Sequence, residues 1–175
     1  MRVVADASPL IYLAKVGKIS LLRDLFGRVA IPREVFAEAV VRAQGEFPEA
    51  AQIETAIDEG WLEVCDVLFD KKLLNLVTEL DKGEIEVIAL SKKTDADLTL
   101  MDDAVGRRVA ESFGLNVKGT LYVILCAFKR GILSKKDTMR TIQKLVVAGF
   151  RLSSEIYGAL VSELEKNREC AGTGG

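Results

Sequence analysis

Arg2-Val3-Val4-Ala5-Asp6-Ala7-Ser8-Pro9-Leu10 reads as a brief apolar strand that runs straight into a helix, with one acid at the junction. Ser8 suits the helix N-cap and Pro9 the first turn. Leu10, Leu13 and Ala14 then give the helix an apolar face, and Gly17 ends it. Asp6 stands between the strand and an independent cap, so neither element accounts for it. The same unit returns at Asp97 to Met101, an apolar strand followed by Asp102-Asp103 and a helix marked by Val105, Val109 and Phe113. Strands alternating with helices predict a mostly parallel sheet covered by helices, because parallel neighbours need crossover connections.

Working outward, Leu21, Leu22, Leu25 and Phe26 mark a short helix stopped by Gly27, and Val29-Ala30-Ile31 reads as a second strand. Pro32 opens a helix through Val35, Glu38 and Val41, and Gly45 and Pro48 bracket a loop. Glu49 to Glu59 is an amphipathic helix, and Trp61 to Val64 a short strand. A charged, Leu-rich helix is expected near Lys71 to Glu79, before Asp81-Lys82-Gly83-Glu84 starts a strongly apolar helix, Ile85 to Leu90. Leu115 to Lys118 is one more strand. Thr120 caps a helix from Leu121 to Lys129, Ser134 caps another to about Ala148, and a last one follows Ser154. No repeat or linker interrupts the chain, so one domain is expected, with the helices after residue 120 available as a small lobe for pairing with a second chain.

Composition narrows the chemistry. With 175 residues, 49% of them hydrophobic, the chain can build a sizeable core. Its 24 Lys and Arg against 26 Asp and Glu leave a net charge of -2, so no global positive field recruits nucleic acid or anionic membrane. The absence of histidine excludes Ser-His-Asp triads, Cys-His pairs and His-ligated zinc or haem. Cys65, Cys126 and Cys170 are odd in number and lack C-x-x-C spacing, which argues against a disulfide framework or a sulfur-ligated metal and predicts small, buried core residues for Cys65 and Cys126. No apolar run is long enough for a leader or a membrane span, so a cytoplasmic protein is expected.

In an open parallel sheet, ligands gather beyond the carboxyl ends of the strands. Asp6 lies at one such end and Asp102 and Asp103 at another, while Glu84, in the first turn of a helix, and Glu38 can reach the same edge. Several carboxylates a few ångströms apart raise one another's pKa, and protons or a divalent cation must compensate. All-oxygen ligation selects Mg²⁺ or Mn²⁺, which can activate water and neutralise a transferring phosphoryl group without histidine. Each acid also has a plainer reading: helix N-termini favour acids, which would account for Asp81, Glu84 and Asp102 or Asp103 as caps. Arg107 and Arg108 follow the Asp pair by about one turn and could hold a phosphate backbone, although an exposed helix face explains them equally well. Gly83 and Gly106 have no phosphate-loop spacing.

Taken together, Asp6-Ala7-Ser8-Pro9-Leu10-Ile11, Ile31-Pro32 with Val35 and Glu38, Gly83-Glu84-Ile85-Glu86, Leu100-Met101-Asp102-Asp103 with Arg107-Arg108, and Gly119-Thr120-Leu121 resemble the PIN domain, closest to small prokaryotic relatives of toxin nucleases. The resemblance implies a three-layer α/β/α sandwich with a central mostly parallel sheet, to which the local sequence pattern adds C-terminal helices. It covers residues 1–135 as the PIN-like domain; the helices of 136–167 exceed the family's minimum and are read as a C-terminal helical extension of the same domain, and 168–175, with little apolar content, as a disordered tail. It also implies a divalent-metal-dependent endoribonuclease using Mg²⁺ or Mn²⁺, as the toxin of a toxin-antitoxin pair. The catalytic acids carry over to Asp6, Glu38, Glu84, Asp102 and Asp103, with Asp6, Glu84 and the Asp102-Asp103 pair as metal ligands and Ser8 and Thr120 as supporting hydroxyls. Ala7 departs from relatives that carry Thr or Ser there, which removes one supporting hydrogen bond. The implied partners are RNA, an antitoxin protein and a second copy of the chain. The alternative from another class is a non-catalytic binding or assembly module whose acids cap helices.

Overall fold

The computed structural model describes residues 1–43, 47–67 and 80–166. Five parallel strands form one sheet in the order β3-β2-β1-β4-β5: β1 (Val3–Ala5), β2 (Val29–Pro32), β3 (Leu62–Cys65), β4 (Leu98–Leu100) and β5 (Val117–Lys118). β1 is central. The chain leaves it on one side through β2 and β3 and returns on the other through β4 and β5, so the order reverses between β1 and β4. That reversal opens a crevice at the carboxyl ends of these two strands. The register Val3↔Leu98, Val4↔Thr99, Ala5↔Leu100 brings Asp6 level with the exit of β4, and the Asp6 N–H donates to the Leu100 carbonyl at 2.9 Å.

Helices cover both faces, giving the α/β/α sandwich expected from the sequence. They are α1 (Ala7–Lys15), α2 (Ser20–Phe26), α3 (Arg33–Ala39), α4 (Pro48–Asp58), α5 (Lys82–Lys93), α6 (Ala104–Ser112), α7 (Thr120–Lys129), α8 (Lys135–Val147) and α9 (Ser154–Lys166), with a 3-10 turn at Val41–Ala43. α5 lies across β1, β2 and β4 beside α3, whereas α1 packs on α3, α4 and α7. Both strand faces are apolar, as a sheet covered on both sides requires: Val3, Val4, Ala5, Leu98 and Leu100 are all buried. α8 packs on α7 and α1, and Ile142, Leu145 and Leu160 join the same core as β1.

Several local expectations shift. The first helix begins at Ala7, with Asp6 rather than Ser8 in the N-cap position, so Ser8 and Pro9 both fall within the first turn, where proline's missing N–H costs nothing. Pro32 ends β2 instead of opening α3, and Pro48 opens α4 instead of closing a loop. Cys65 and Cys126 are half-buried, not fully enclosed. The expected helix near Lys71 to Glu79 and the tail 168–175 lie outside the described residues. Among the described residues no helix is long and apolar enough to cross a membrane.

Candidate active site

A cavity of about 390 Å³ opens at the strand-order reversal, lined by Asp6, Ser8, Glu38, Asp81, Glu84, Asp103 and Val105. Five carboxyl groups from four segments of chain thus share one space. Asp6 arrives at the end of β1, held by its backbone bond to β4, and is 5% exposed. Glu38 comes from α3. Asp81 and Glu84 come from the start of α5, where they form a capping box: the Glu84 N–H donates to Asp81 Oδ1 at 2.9 Å and the Asp81 N–H to Glu84 Oε2 at 3.0 Å. Asp103 caps α6, its Oδ1 accepting from the N–H groups of Val105 at 2.8 Å and Gly106 at 2.9 Å. The plain capping reading is therefore real for Glu84 and Asp103. Each spends one oxygen on its cap, and their side chains also share a hydrogen bond with each other.

The electrostatics follow from burial and like charge. Burial pushes the Asp6 carboxyl up to about 8, the Ala7 N–H opposes this, and the neighbouring Glu38, Glu84 and Asp81 charges add to it. Glu84 is pushed up to about 7, first by burial and then by the charges of Asp81 and Asp103, against the cap bond from Asp81. Glu38 is also raised by burial and by Asp81, with Arg42 opposing. Asp103 is held below the usual range, chiefly by the Gly106 N–H. Without a cation, protons supply the compensation at Asp6 and Glu84. Among the described residues no three carboxyl groups stand close enough, as placed, to hold a metal ion. The donor chemistry nonetheless fits one: apart from Val105 the lining side chains are carboxyl groups and one hydroxyl, and the charged forms of Asp6 and Glu84 need a positive partner.

Asp102 and Asp103 part company. Asp102 turns away from the acidic cavity into a second one of about 300 Å³, where its Oδ1 accepts from the Thr120 N–H at 2.8 Å and its Oδ2 from the Thr120 hydroxyl at 2.6 Å. Thr120 is fully buried and is the first residue of α7, not its cap; Gly119 is in the N-cap position. The Thr120 hydroxyl thus supports Asp102 and does not line the acidic cavity. Ser8, by contrast, does line it. Arg107 borders the second cavity, and Arg108 is exposed outside both. Asp81, which sequence reasoning treated only as a cap, lies on the acidic cavity. A further groove of about 580 Å³ between α8 and α9 is lined by apolar and neutral polar side chains and has no acid-base chemistry.

Two glycines give these acids room. A Cβ on Gly106 would stand 2.7 Å from Glu84 Oε1 and 2.6 Å from Met101 Sδ, and one on Gly119 would stand 2.5 Å from Asp102 Oδ1. Gly106 sits in a helix, where alanine would ordinarily stabilise by roughly 1 kcal/mol. Gly106→Ala is instead expected to destabilise the fold by about 1–3 kcal/mol, because Glu84 and the buried Met101 must give way. Chemical denaturation measures this, and a gain in stability would refute the close approach.

The titration of the cavity sets a second expectation. Asp6 and Glu84 are raised above their unfolded values of 3.8 and 4.5, so the folded chain keeps protons that the unfolded chain loses. Their contribution is fully present below about pH 4 and is lost as pH rises through about 7 and 8. The metal-free protein is therefore expected to melt at progressively lower temperature from pH 6 to pH 8.5, as read by calorimetry in a chelator. A melting temperature that rises over this window would contradict the acidic cluster.

The open parallel sheet, covered by helices on both faces and carrying an acid-lined crevice at its order reversal, is an architecture of the α/β class. This chain belongs to the PIN domain family: the profile of the DUF3368 family, described as a PIN domain, matches residues 2–166. Among solved structures it is similar to a PilT N-terminus domain protein from the hyperthermophilic archaeon Sulfolobus solfataricus P2, at 16% identity, covering 70% of this chain and 90% of that chain with a TM-score of 0.48. No curated protein matches it.

Proposed function

We propose that this protein is a divalent-metal-dependent endoribonuclease. The observation that carries the reading is the acidic cavity itself, with five carboxyl groups meeting at the carboxyl ends of β1 and β4. Asp6, Glu84 and Asp103 are the residues that would hold Mg²⁺ or Mn²⁺. Glu84 and Asp103 each use one oxygen for capping and share a side-chain hydrogen bond that an ion would replace, and among the described residues no cation forms an ion pair with the buried Asp6 carboxyl. A bound ion would supply positive charge and polarise the phosphodiester, the chemistry that hydrolysis without histidine requires. In this reading Glu38, raised by burial and by neighbouring Asp81, would accept a proton from an attacking water, and the Ser8 hydroxyl on the same cavity would orient that water. Asp102 is left out of the ligand set because both of its oxygens are occupied by Thr120.

The finer reading is a toxin nuclease restrained by an antitoxin, acting in the cytoplasm as a homodimer. Exposed apolar side chains on the last two helices, with Val147 at 89% exposure, support a partnered surface. The competing reading, a non-catalytic binding module, draws on the caps that Asp81, Glu84 and Asp103 form. Calorimetric titration with Mn²⁺ separates the two. Saturable binding of about one ion, with release of protons from Asp6 and Glu84 at pH 7, is expected of the nuclease, and the absence of any saturable heat favours the binding module.

A further inference from the structure

The second cavity, beside the acidic one, has the opposite chemistry. Three cations converge on it from three separate elements: Arg107 from α6, Lys118 from the end of β5 and Arg151 from the turn between α8 and α9. Among the described residues none of the three forms a salt bridge, whereas Arg23, Arg28, Arg33, Arg42, Lys82 and Lys129 each do. The one carboxylate present, Asp102, is held by Thr120 and feels the Arg107 charge, so three cations against a single acid leave an excess of positive charge facing the space. Two aromatic rings share the lining, Tyr122 and Phe150. The turn that carries Arg151 is anchored. Phe150 packs edge-to-face on Tyr12 with ring centroids 5.0 Å apart, the Phe150 N–H donates to the Leu145 carbonyl at 2.9 Å, and the Tyr12 hydroxyl donates to the Gly149 carbonyl at 3.4 Å.

We propose that this cavity is a nucleotide subsite for single-stranded RNA, with Arg107, Lys118 and Arg151 on a backbone phosphate and Tyr122 and Phe150 against a base. Cations in excess beside aromatic rings match the two recognisable parts of a single-stranded nucleotide. The position relative to the acidic cavity follows from the chain: Asp102 and Asp103 are consecutive and face one cavity each. A strand whose scissile phosphate lies at the acids therefore passes the cations with an adjoining nucleotide. The subsite deepens the nuclease reading and rests on it for the identity of the strand. It also gives the C-terminal helices a role, since Arg151 and Phe150 lie between them.

The test is fluorescence anisotropy of a labelled, unstructured oligouridylate with the full chain in the Asp6→Asn background and a chelator, so that no cleavage intervenes. The double variant Arg107→Gln/Arg151→Gln is expected to weaken binding about tenfold or more and to flatten the log K against log salt slope by about 1.4, at roughly 0.7 per lost phosphate contact. Tyr122→Leu is expected to weaken it by about fivefold or more at unchanged salt slope. Lys136→Gln/Arg140→Gln, equal in charge but on exposed positions of α8 outside the cavity, should change it by less than about twofold. Lys118→Gln provides a single substitution if the double variant melts early. Equal weakening by the two double variants, or no binding by the parent, overturns the subsite. Cleavage assays with Asp6 restored separate the two ideas. A wild-type chain that binds through these cations but never cleaves with Mn²⁺ removes the nuclease reading and leaves the subsite. Cleavage with an unchanged KM in the double variant removes the subsite alone.

Discussion

Asp6→Asn is expected to lower Mn²⁺-dependent RNA cleavage by at least about a hundredfold while raising the melting temperature of the metal-free protein. Both effects have one cause. The Asp6 carboxyl is buried among Glu38, Glu84 and Asp81, and its pKa near 8 records how unfavourable its charge is there. The amide has nearly the same shape and carries no charge, so at pH 8.5, where the acid is mostly ionised, folding is relieved of a penalty on the order of several kcal/mol. Below about pH 4 the advantage should vanish, since the carboxyl is then protonated in both states. The same substitution removes the oxygen charge that a divalent ion needs, so added Mn²⁺ should raise the melting temperature of the wild type but not of the variant. Scanning calorimetry with and without Mn²⁺, beside a cleavage assay, reads all of this. A variant that melts lower than wild type at pH 8.5, or that cleaves as fast, would break the link between the cavity's charge and its chemistry.

Asp102→Ala and Asp103→Ala are expected to fail in opposite ways. Asp102 accepts two hydrogen bonds from Thr120, itself fully buried, so its loss strands an N–H and a hydroxyl and costs about 2–3 kcal/mol. The acidic cavity keeps all its carboxyl groups, and Mn²⁺ affinity should stay within about threefold of wild type. Asp103→Ala removes the α6 cap, a loss of about 1 kcal/mol, together with a carboxylate of the cavity. Mn²⁺ affinity should fall by about tenfold or more. Denaturant melts paired with Mn²⁺ titration of both variants decide the matter. If Asp102→Ala is the one that loses the ion, the ligand set proposed above is wrong.

The partition of those two residues marks the limit of the sequence. Successive side chains leaving a strand face opposite ways, so one of the pair had to turn from the acids. Which one depends on Thr120, whose buried N–H and hydroxyl are eighteen residues away and claim Asp102. Asp81 was hidden by its own legibility as a cap, since a residue that satisfies a helix terminus gives no sign of also facing a cavity. Nothing local singles out Glu38 on α3, and it is the packing of α3 beside α5 that brings it to the cavity. Arg151 carried no motif, because its place in the second cavity depends on a turn pinned to Tyr12 in α1.

By itself the sequence determined the strand-to-helix alternation, and with it the parallel sheet, because apolar spacing, caps and glycines are local and act within a few residues. It also excluded any imidazole-based chemistry, since the chain has no histidine. The tertiary structure alone decided the strand order, the crevice between β1 and β4, and the sorting of charges into an acidic and a basic cavity. Those depend on contacts between residues far apart in the chain, where the burial of one group fixes the direction of another, and no local pattern encodes that.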